Sequence, residues 1–348
     1  MRALRTVGMA LLTLWGLVTL LFVIFNQLGD PAAVAESQRS DLRTREAIRA
    51  DLGLDQPPLA QYLHWLNDLT PVGWLGARQL ASGNYQYVPV YRTTGGAMVA
   101  KLPYLRRSFQ TDRPVLGLYL ERLPATALLA CSSLLIAAVL GIGMGTLAAR
   151  QPGGWLDGLL TGVAMLGLSM PSFVAALLAA WLLAYELHDW TGLYPTGYVW
   201  QEGLLDPAAG RLDLRFLILP ALTLGLRPLS VVVQLTREQL IALRGAEFAR
   251  TARAKGLGPW AVEWRHLLPN ALNPVLTALS AWFGALLGGS FFVESIFDWP
   301  GVGKLAVDAL MTNDYPVLMG CCLFTAVLFL LIQAGMEWLY RLLDPRIG

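Results

Sequence analysis

Residues 124–149 read PATALLACSSLLIAAVLGIGMGTLAA, a run without a single charged side chain. A helix crosses the hydrocarbon core of a bilayer with about 20 mainly apolar residues. Comparable apolar runs lie at 7–28, 158–187, 216–235, 273–293 and 317–340. The sequence therefore predicts six membrane-spanning helices.

The composition of the whole chain points the same way. Of the 348 residues, 55% are hydrophobic and 14% are charged, whereas a soluble domain averages about 25% charged residues. So much apolar surface requires a bilayer as its solvent. The net charge of +2 neither favours nor opposes nucleic-acid binding, and we expect no nucleic acid among the partners.

The basic residues predict the orientation of the spans. The short segments 1–6, 150–157, 236–272 and 341–348 together hold eleven Lys and Arg, and the opposite loops 188–215 and 294–316 hold three. Basic residues mark the cytoplasmic side, so both termini should lie in the cytoplasm. Residues 1–35 also resemble a signal peptide ending in Ala33-Val34-Ala35, but their apolar run exceeds the usual 7–15 residues.

These spans divide the chain into a first helix (1–28), an external region (29–122) and a core (123–348) with a cytoplasmic loop at 236–272. Within the external region, one helical face should pack on the protein or rest on the membrane surface, and the tract 73–103, rich in Gly, Tyr, Thr and Pro, is expected to be irregular. That face comprises Leu59, Tyr62, Leu63 and Leu66. The sequence has no internal repeat of the kind that would make this chain a complete transporter, and this indicates a partner subunit.

The most informative loop reads EFARTARAKGLGPWAVEWRHLLPN at 247–270. Ala249, Ala252 and Gly256 share one helical face, where small residues would let another backbone or a protein groove approach closely. Gly256 also permits a sharp turn, and Pro259 suits the first position of a following helix. A basic rim of Arg250, Arg253 and Lys255 surrounds this face. The alternative is a solvated loop whose positive charge only sets topology.

Residues 250–256 (RTARAKG), nine further residues and then His266-Leu-Leu-Pro269 resemble the EAA loop of ABC-importer permeases, in the form of the dipeptide/oligopeptide/nickel permease family. The usual Glu-Ala-Ala is replaced by Arg250-Thr251-Ala252, and the segment 68–103 is expanded. Further blocks resemble this family in the expected order. They are residues 51–57, Gln61-Tyr62, residues 122–126, residues 294–303, residues 314–316 and residues 344–347.

The resemblance implies an all-α, six-helix type I ABC-importer permease fold, N-in/C-in, with a large external loop after the first helix. It implies a homologous second permease, two cytoplasmic ATPases that carry ATP and magnesium, an external solute-binding protein, and residence in the bacterial inner membrane. The expected cargo is a short peptide. Nickel or another small solute is the alternative within transport, and a non-transporting scaffold or sensor is the alternative outside it.

The resemblance also assigns residues. An ATPase-coupling role falls on Glu247, Ala249, Arg250, Thr251, Ala252, Arg253, Lys255, Gly256, His266, Leu268 and Pro269. The external family block contains Glu294, Trp299, Pro300 and Gly301.

The sequence predicts neither catalysis nor a cofactor in this chain. Residues 300–304 (PGVGK) lack the first glycine and the Ser/Thr of a phosphate-binding loop, so ATP hydrolysis must belong to another chain. His64, His188 and His266 do not cluster. Cys131, Cys321 and Cys322 form no CxxC or Cys/His spacing, which leaves them as packing thiols.

Two residues interrupt predicted spans. Arg227 places a charge inside a membrane helix, which costs about 2.5–3.5 kcal/mol or more and marks an interior or a water-filled path. It could meet an acidic side chain, a backbone carbonyl or a peptide carboxylate. Pro171 should kink its helix. Both are assigned to the translocation path, while Gly141-xxx-Gly145 and Gly284-xxx-Gly288 are candidate helix contacts.

Overall fold

The computed structural model describes residues 2–27, 56–81, 85–197 and 214–343. Most of the predicted block at 51–57 lies outside these residues, and so does all of the block at 344–347. By its contacts the chain divides into two units, Met1–Glu121 with Leu305–Val327, and Arg122–Lys304 with Leu328–Gly348.

Most of the described chain is helical. In chain order the helices are α1 (Arg2–Gln27), α2 (Pro58–Leu69), α3 (Ala77–Ala81), α4 (Val115–Arg150), α5 (Trp155–Ser169), α6 (Ser172–Ala179), α7 (His188–Thr191), α8 (Arg215–Arg244), α9 (Glu247–Ala254), α10 (Pro259–Val262), α11 (Leu268–Gly289), α12 (Phe291–Ile296), α13 (Val302–Met311) and α14 (Tyr315–Leu343). Two π-helical segments continue α6 over Ala180–Glu186 and join α10 to α11 over Glu263–Leu267.

The long apolar helices follow the predicted spans. Among the described residues, four stretches are long and apolar enough to cross a membrane, and a bent helix pair raises the number to five. The four are α4, α8, the continuous stretch Pro259–Gly288 and α14. Within the described residues, the apolar part of α1, Gly8–Ile24, is too short to be counted among these spans. The chain is thus a multi-pass membrane protein.

The helix predicted over 158–187 breaks at Pro171. The pair formed by Trp155–Ser169 and Ser172–Glu186 is bent by 114°. Met170 is extended, with φ −82° and ψ 135°, because the ring of a following proline disfavours helical backbone. Proline also lacks the N–H that would continue the hydrogen-bond ladder. The structure therefore has a broken helix at Pro171, where the sequence predicts only a kink.

The expectation of irregular structure at 73–103 is wrong. Strands β1 (Val72–Gly76), β2 (Tyr87–Thr93) and β3 (Gly96–Lys101) form an antiparallel sheet in the order β1-β3-β2. One face buries Leu75, Ala97 and Val99. Sheet residues alternate between faces, and the tyrosines and valines of this tract favour strands. The all-α expectation is corrected accordingly, since a mostly helical chain carries this small sheet.

The predicted apolar face of α2 is divided between two surroundings. Tyr62 shares a 2.7 Å hydrogen bond with the Thr19 hydroxyl of α1, and Leu66 packs in the cluster around Val18. Leu59 and Leu63 remain 70% and 57% exposed. Only half of the face therefore packs on the protein.

Candidate functional site

Helix α9 packs the small face of the 247–270 loop against its own chain. Ala249 and Ala252 are 0% and 5% exposed. They belong to one apolar cluster with Leu240 of α8, Leu267 of the π-helical segment before α11, and Ala271 of α11. These alanines are therefore covered by their own chain and do not form a free face on which another protein could dock. Their small size instead lets α9 lie close to the end of α8 and the start of α11.

Gly256 lies beyond the helix and off its alanine face. Helix α9 ends at Ala254, and Gly256 has a φ of +83°. Its N–H donates to the carbonyl of Arg253 at 2.9 Å, and the Leu257 N–H points to the Ala252 carbonyl at 3.4 Å. Glycine adopts this left-handed backbone readily, so Gly256 terminates α9. Pro259 opens α10 as its sequence position predicts.

The opposite face of this region is open. It combines basic and polar groups with three large aromatic side chains, Phe248, Trp260 and Trp264, which are 40%, 59% and 53% exposed. The predicted residues found on the outer surface of the region are Glu247, Arg250, Thr251, Arg253, Lys255, Gly256 and Pro269. The aromatic residues were missed, although exposed aromatic groups beside Arg are characteristic of protein interfaces.

The His266–Pro269 block joins the loop to the membrane helix. Leu268 is 6% exposed and packs in the same cluster as the α9 alanines, while His266 is half-buried. The His266 carbonyl accepts a 2.7 Å hydrogen bond from Asn270 Nδ2. This half of the motif therefore anchors α11 beneath α9.

Arginines tie the elements around α9 together. Arg244, at the end of α8, donates to both oxygens of Glu263 at 3.0 and 3.3 Å and to the carbonyl of Ala149. Arg253 Nη2 donates to the Arg244 carbonyl at 2.7 Å. The guanidinium of Arg150 lies 3.6 Å from the centre of the Trp260 ring, which is a cation–π contact. No local sequence pattern indicates these contacts, so the pairings were not predicted.

A second ion pair joins the start of α5 to α8. Arg237 donates Nε to Asp157 Oδ1 at 2.5 Å and Nη2 to Asp157 Oδ2 at 2.6 Å. The Asp157 side chain is 5% exposed and also accepts from the Gly153 N–H at 2.8 Å. Two parallel bonds of this kind fix geometry as well as charge.

The external block forms a buried polar cluster around Glu294. Its carboxylate accepts from Ser290 Oγ at 2.5 Å, Thr126 Oγ1 at 2.9 Å and the Lys304 N–H at 3.0 Å. Glu294 is 0% exposed, and this burial raises its pKa. The arrangement joins two blocks that sequence reasoning treated separately, since Thr126 belongs to residues 122–126.

The other members of the block surround this carboxylate. Trp299 is 1% exposed and donates Nε1–H to the Ala125 carbonyl at 2.9 Å. Pro300 is half-buried and Gly301 buried. A Cβ added at Gly301 would lie 2.3 Å from Glu294 Oε2, so only glycine fits there.

The two interruptions of the spans lie in different settings. Pro171 is exposed at the break between α5 and α6. Arg227 lies in the middle of α8 along the chain, and its side chain is exposed. Within the described part of the chain it has no hydrogen-bond or ion-pair partner. That leaves the acidic-partner interpretation of Arg227 without support among these residues. In the same residues, no group of three or more His, Cys, Asp or Glu could hold a metal ion.

Two family matches cover nearly all of the chain. Residues 141–348 match the family described as binding-protein-dependent transport system inner membrane component, and residues 2–130 match its N-terminal part. The chain belongs to this permease family. Among curated relatives, the permease is 34% identical over 346 residues to a putative peptide transport system permease protein of Brucella abortus (strain 2308), covering 99% of this chain and 98% of that one.

A second relative agrees in length and description. The permease is 34% identical over 358 residues to the di/tripeptide transport system permease protein of Pseudomonas aeruginosa (strain UCBPP-PA14), covering 99% and 97% of the two chains. Among solved structures, an inward-facing form of the MetNI methionine ABC transporter matches with a TM-score of 0.52, 16% identity, and coverage of 66% of the permease and 97% of that chain. This last likeness establishes the fold alone.

Proposed function

We propose that this permease is a membrane subunit of an ATP-driven importer for short peptides in the bacterial inner membrane. The observation that carries the proposal is the similarity to peptide permeases over 99% of the chain. As a permease, the chain supplies the path and the coupling, while ATP hydrolysis belongs to separate ATPase subunits that hold ATP and magnesium.

The outward face of α9 and α10 is the surface proposed to receive an ATPase. With Trp264 of the following π-helical segment, it offers Phe248 beside Arg250, Thr251 and Lys255, all exposed. An apolar centre with a polar rim suits a protein interface. The ATPases then act through the 247–269 loop, because Ala249, Ala252 and Leu268 link this surface to α8 and α11.

The remaining partners follow from the proposed importer. A homologous second permease completes the path, and an external solute-binding protein delivers cargo. In this arrangement α1 is also a span, which brings the number of spans to six, and both termini are cytoplasmic. The sheet β1–β3 is external, and so is the Glu294 cluster. Arg227 and Pro171 are proposed to belong to the path, since an exposed charge inside a span favours a water-filled surface.

Reconstitution tests this proposal. The permease is inserted into vesicles with its neighbouring-gene permease, ATPases and binding protein, and uptake of a labelled peptide library is measured with and without ATP. We expect ATP-dependent uptake of short peptides. Uptake of nickel without peptides would replace the cargo assignment. A purified chain that never associates with ATPases would instead support a scaffold or sensor and overturn the importer.

A further inference from the structure

The C-terminal half of α8 has a polar face that the rest of its unit leaves uncovered. Arg227, Val231, Gln234 and Glu238 follow one another at i, i+4, i+7 and i+11, which places them on one side of the helix. Arg227 and Glu238 are exposed, and Val231 and Gln234 are half-buried. The opposite sides of the same turns are fully buried. Their residues are Val232, Val233, Thr236 and Leu240.

The face is uncovered over only part of the helix. Further toward the N-terminus, the same side of α8 carries Pro220, Thr223 and Leu224, and all three are buried. The uncovered part therefore begins at Arg227 and runs to the C-terminal end of the helix. Lipid is an unfavourable neighbour for it, because moving a charged side chain into hydrocarbon is costly.

The positive charge of Arg227 and the negative charge of Glu238 lie at opposite ends of this face. Eleven residues of helix separate Arg227 from Glu238, which is about 16 Å along the axis at 1.5 Å per residue. An extended peptide of four or five residues spans roughly the same distance. Between them, the Gln234 amide provides a donor and an acceptor that suit peptide groups.

We propose that this face lines the peptide route and selects zwitterionic cargo, with Arg227 attracting the free C-terminal carboxylate and Glu238 the free N-terminal ammonium. The inference rests on the proposed peptide import and adds the recognition chemistry. A shorter peptide meets the two charges in succession, whereas a pentapeptide meets both together. Blocking the peptide carboxylate therefore removes only the attraction to Arg227, and blocking the ammonium removes only the attraction to Glu238.

Uptake of modified peptides tests the assignment. Vesicles containing the complete importer are given radiolabelled trialanine and pentaalanine in three forms: free, C-terminally amidated and N-acetylated. For each peptide, uptake by a variant is divided by wild-type uptake, which cancels the preference of the binding protein. We expect Arg227→Gln to lower uptake of the free peptides about tenfold and of the amidated ones less than twofold. Arg227→Lys should restore most of it.

Glu238→Gln should show the complementary pattern, lowering uptake of free and amidated peptides but sparing the acetylated ones. Ile218→Ala alters an exposed apolar position on the other side of α8 and should change none of these ratios. Equal losses for free and amidated peptides in an assembled Arg227→Gln complex would overturn the charge assignment. No ATP-dependent peptide uptake by the wild type would instead refute the underlying importer proposal.

Accessibility provides a second readout that does not require transport. In a background without Cys131, Cys321 and Cys322, Gln234→Cys should react with a membrane-impermeant maleimide added to the cytoplasmic side, and trialanine should slow the reaction. Val233→Cys, which is 0% exposed at the adjacent position, should stay unlabelled. An unreactive Gln234→Cys in an assembled complex would rule out the water-filled face, even if Arg227→Gln fails to assemble.

Discussion

Gly145 of α4 lies directly against the backbone of Val233 in α8. A Cβ added at Gly145 would stand 2.7 Å from the Val233 carbonyl oxygen and 2.7 Å from Thr236 Cβ. Four residues earlier, a Cβ at Gly141 would stand 2.7 Å from Val232 Cγ1. The Gly141-xxx-Gly145 pattern is thus a true helix contact, in which the missing side chains let two membrane helices approach closely.

The first prediction follows from this contact. Gly145→Ala should destabilise the assembled complex by about 1–3 kcal/mol, since the overpacked backbone must shift. Gly143→Ala is the matched control on the same helix, because within the described part of the chain nothing lies within 4 Å of its Cβ position. Thermal unfolding of the purified complexes measures both. Equal stability of the two variants would contradict the close contact.

The second prediction concerns Asp157 and Arg237. Asp157→Asn or Arg237→Gln should each lower the yield of folded permease several-fold, because each leaves one member of the pair without its counter-charge. The double variant Asp157→Asn/Arg237→Gln should lose less than the two single effects combined. Size-exclusion profiles after detergent extraction measure the yield. Strictly additive losses would show that the two side chains do not interact.

The third prediction separates backbone conformation from bulk at Gly256. An L-residue in left-handed backbone costs about 1–2 kcal/mol, and asparagine tolerates it best. No atom of the described residues lies within 4 Å of the Cβ position, so a clash with them contributes nothing. We expect Gly256→Val to reduce co-purification of the ATPases several-fold and Gly256→Asn to retain most of it. The same loss for both variants would exclude the conformational explanation.

The fourth prediction concerns the Glu294 cluster. Glu294→Gln replaces an acceptor oxygen by an amide donor facing hydroxyl and backbone donors, which should cost about 1–3 kcal/mol. Glu121→Gln, at a carboxylate that is 53% exposed, should cost little. Thermal unfolding compares them. A Glu294→Gln variant as stable as the Glu121→Gln control would show that the second acceptor oxygen is not needed.

The raised pKa of Glu294 adds a dependence on pH. Because the folded-state pKa lies above the unfolded value, this group contributes stability fully below the unfolded pKa, and the contribution is lost as pH rises through the folded pKa. The stability difference between wild type and Glu294→Gln should therefore grow as pH falls from 8 toward 5. A difference that shrinks over this range would contradict the direction of the shift.

The fifth prediction tests the orientation of the spans. In the cysteine-free background, Val88→Cys and Met311→Cys should react with an impermeant maleimide added outside intact cells, since both side chains are strongly exposed. Ala254→Cys, exposed at the end of α9, should react only after the membrane is opened. Labelling of Ala254→Cys in sealed cells would reverse the proposed topology.

The sequence predicts membrane helices well because hydropathy is carried by continuous runs. The run 124–149 lies inside α4, and 216–235 lies inside α8. Both helices extend further, since an α-helix continues beyond the hydrocarbon wherever other contacts support it. The β1–β3 pairing was not predicted because its partners are distant in sequence, as in Trp74 opposite Met98, whereas β2 and β3 pair locally across residues 94–95.

The candidate site shows a related limit. Periodicity placed Ala249 and Ala252 on one face, and the structure agrees, but periodicity cannot say what covers that face. The Arg244–Glu263 pair, 19 residues apart, has no periodic signal at all. Gly256 was assigned to the helical face because the spacing fits, whereas the helix ends at Ala254.

The burial of Ala249 and Ala252 has a mechanical consequence. Both side chains lie within the cluster that holds the end of α8 and the start of α11, and Arg253 fastens α9 to the Arg244 carbonyl. Close-packed interiors have low compressibility and transmit strain. We therefore expect a force on α9 to reach α8 and α11 with little loss, so that the three helices tilt together.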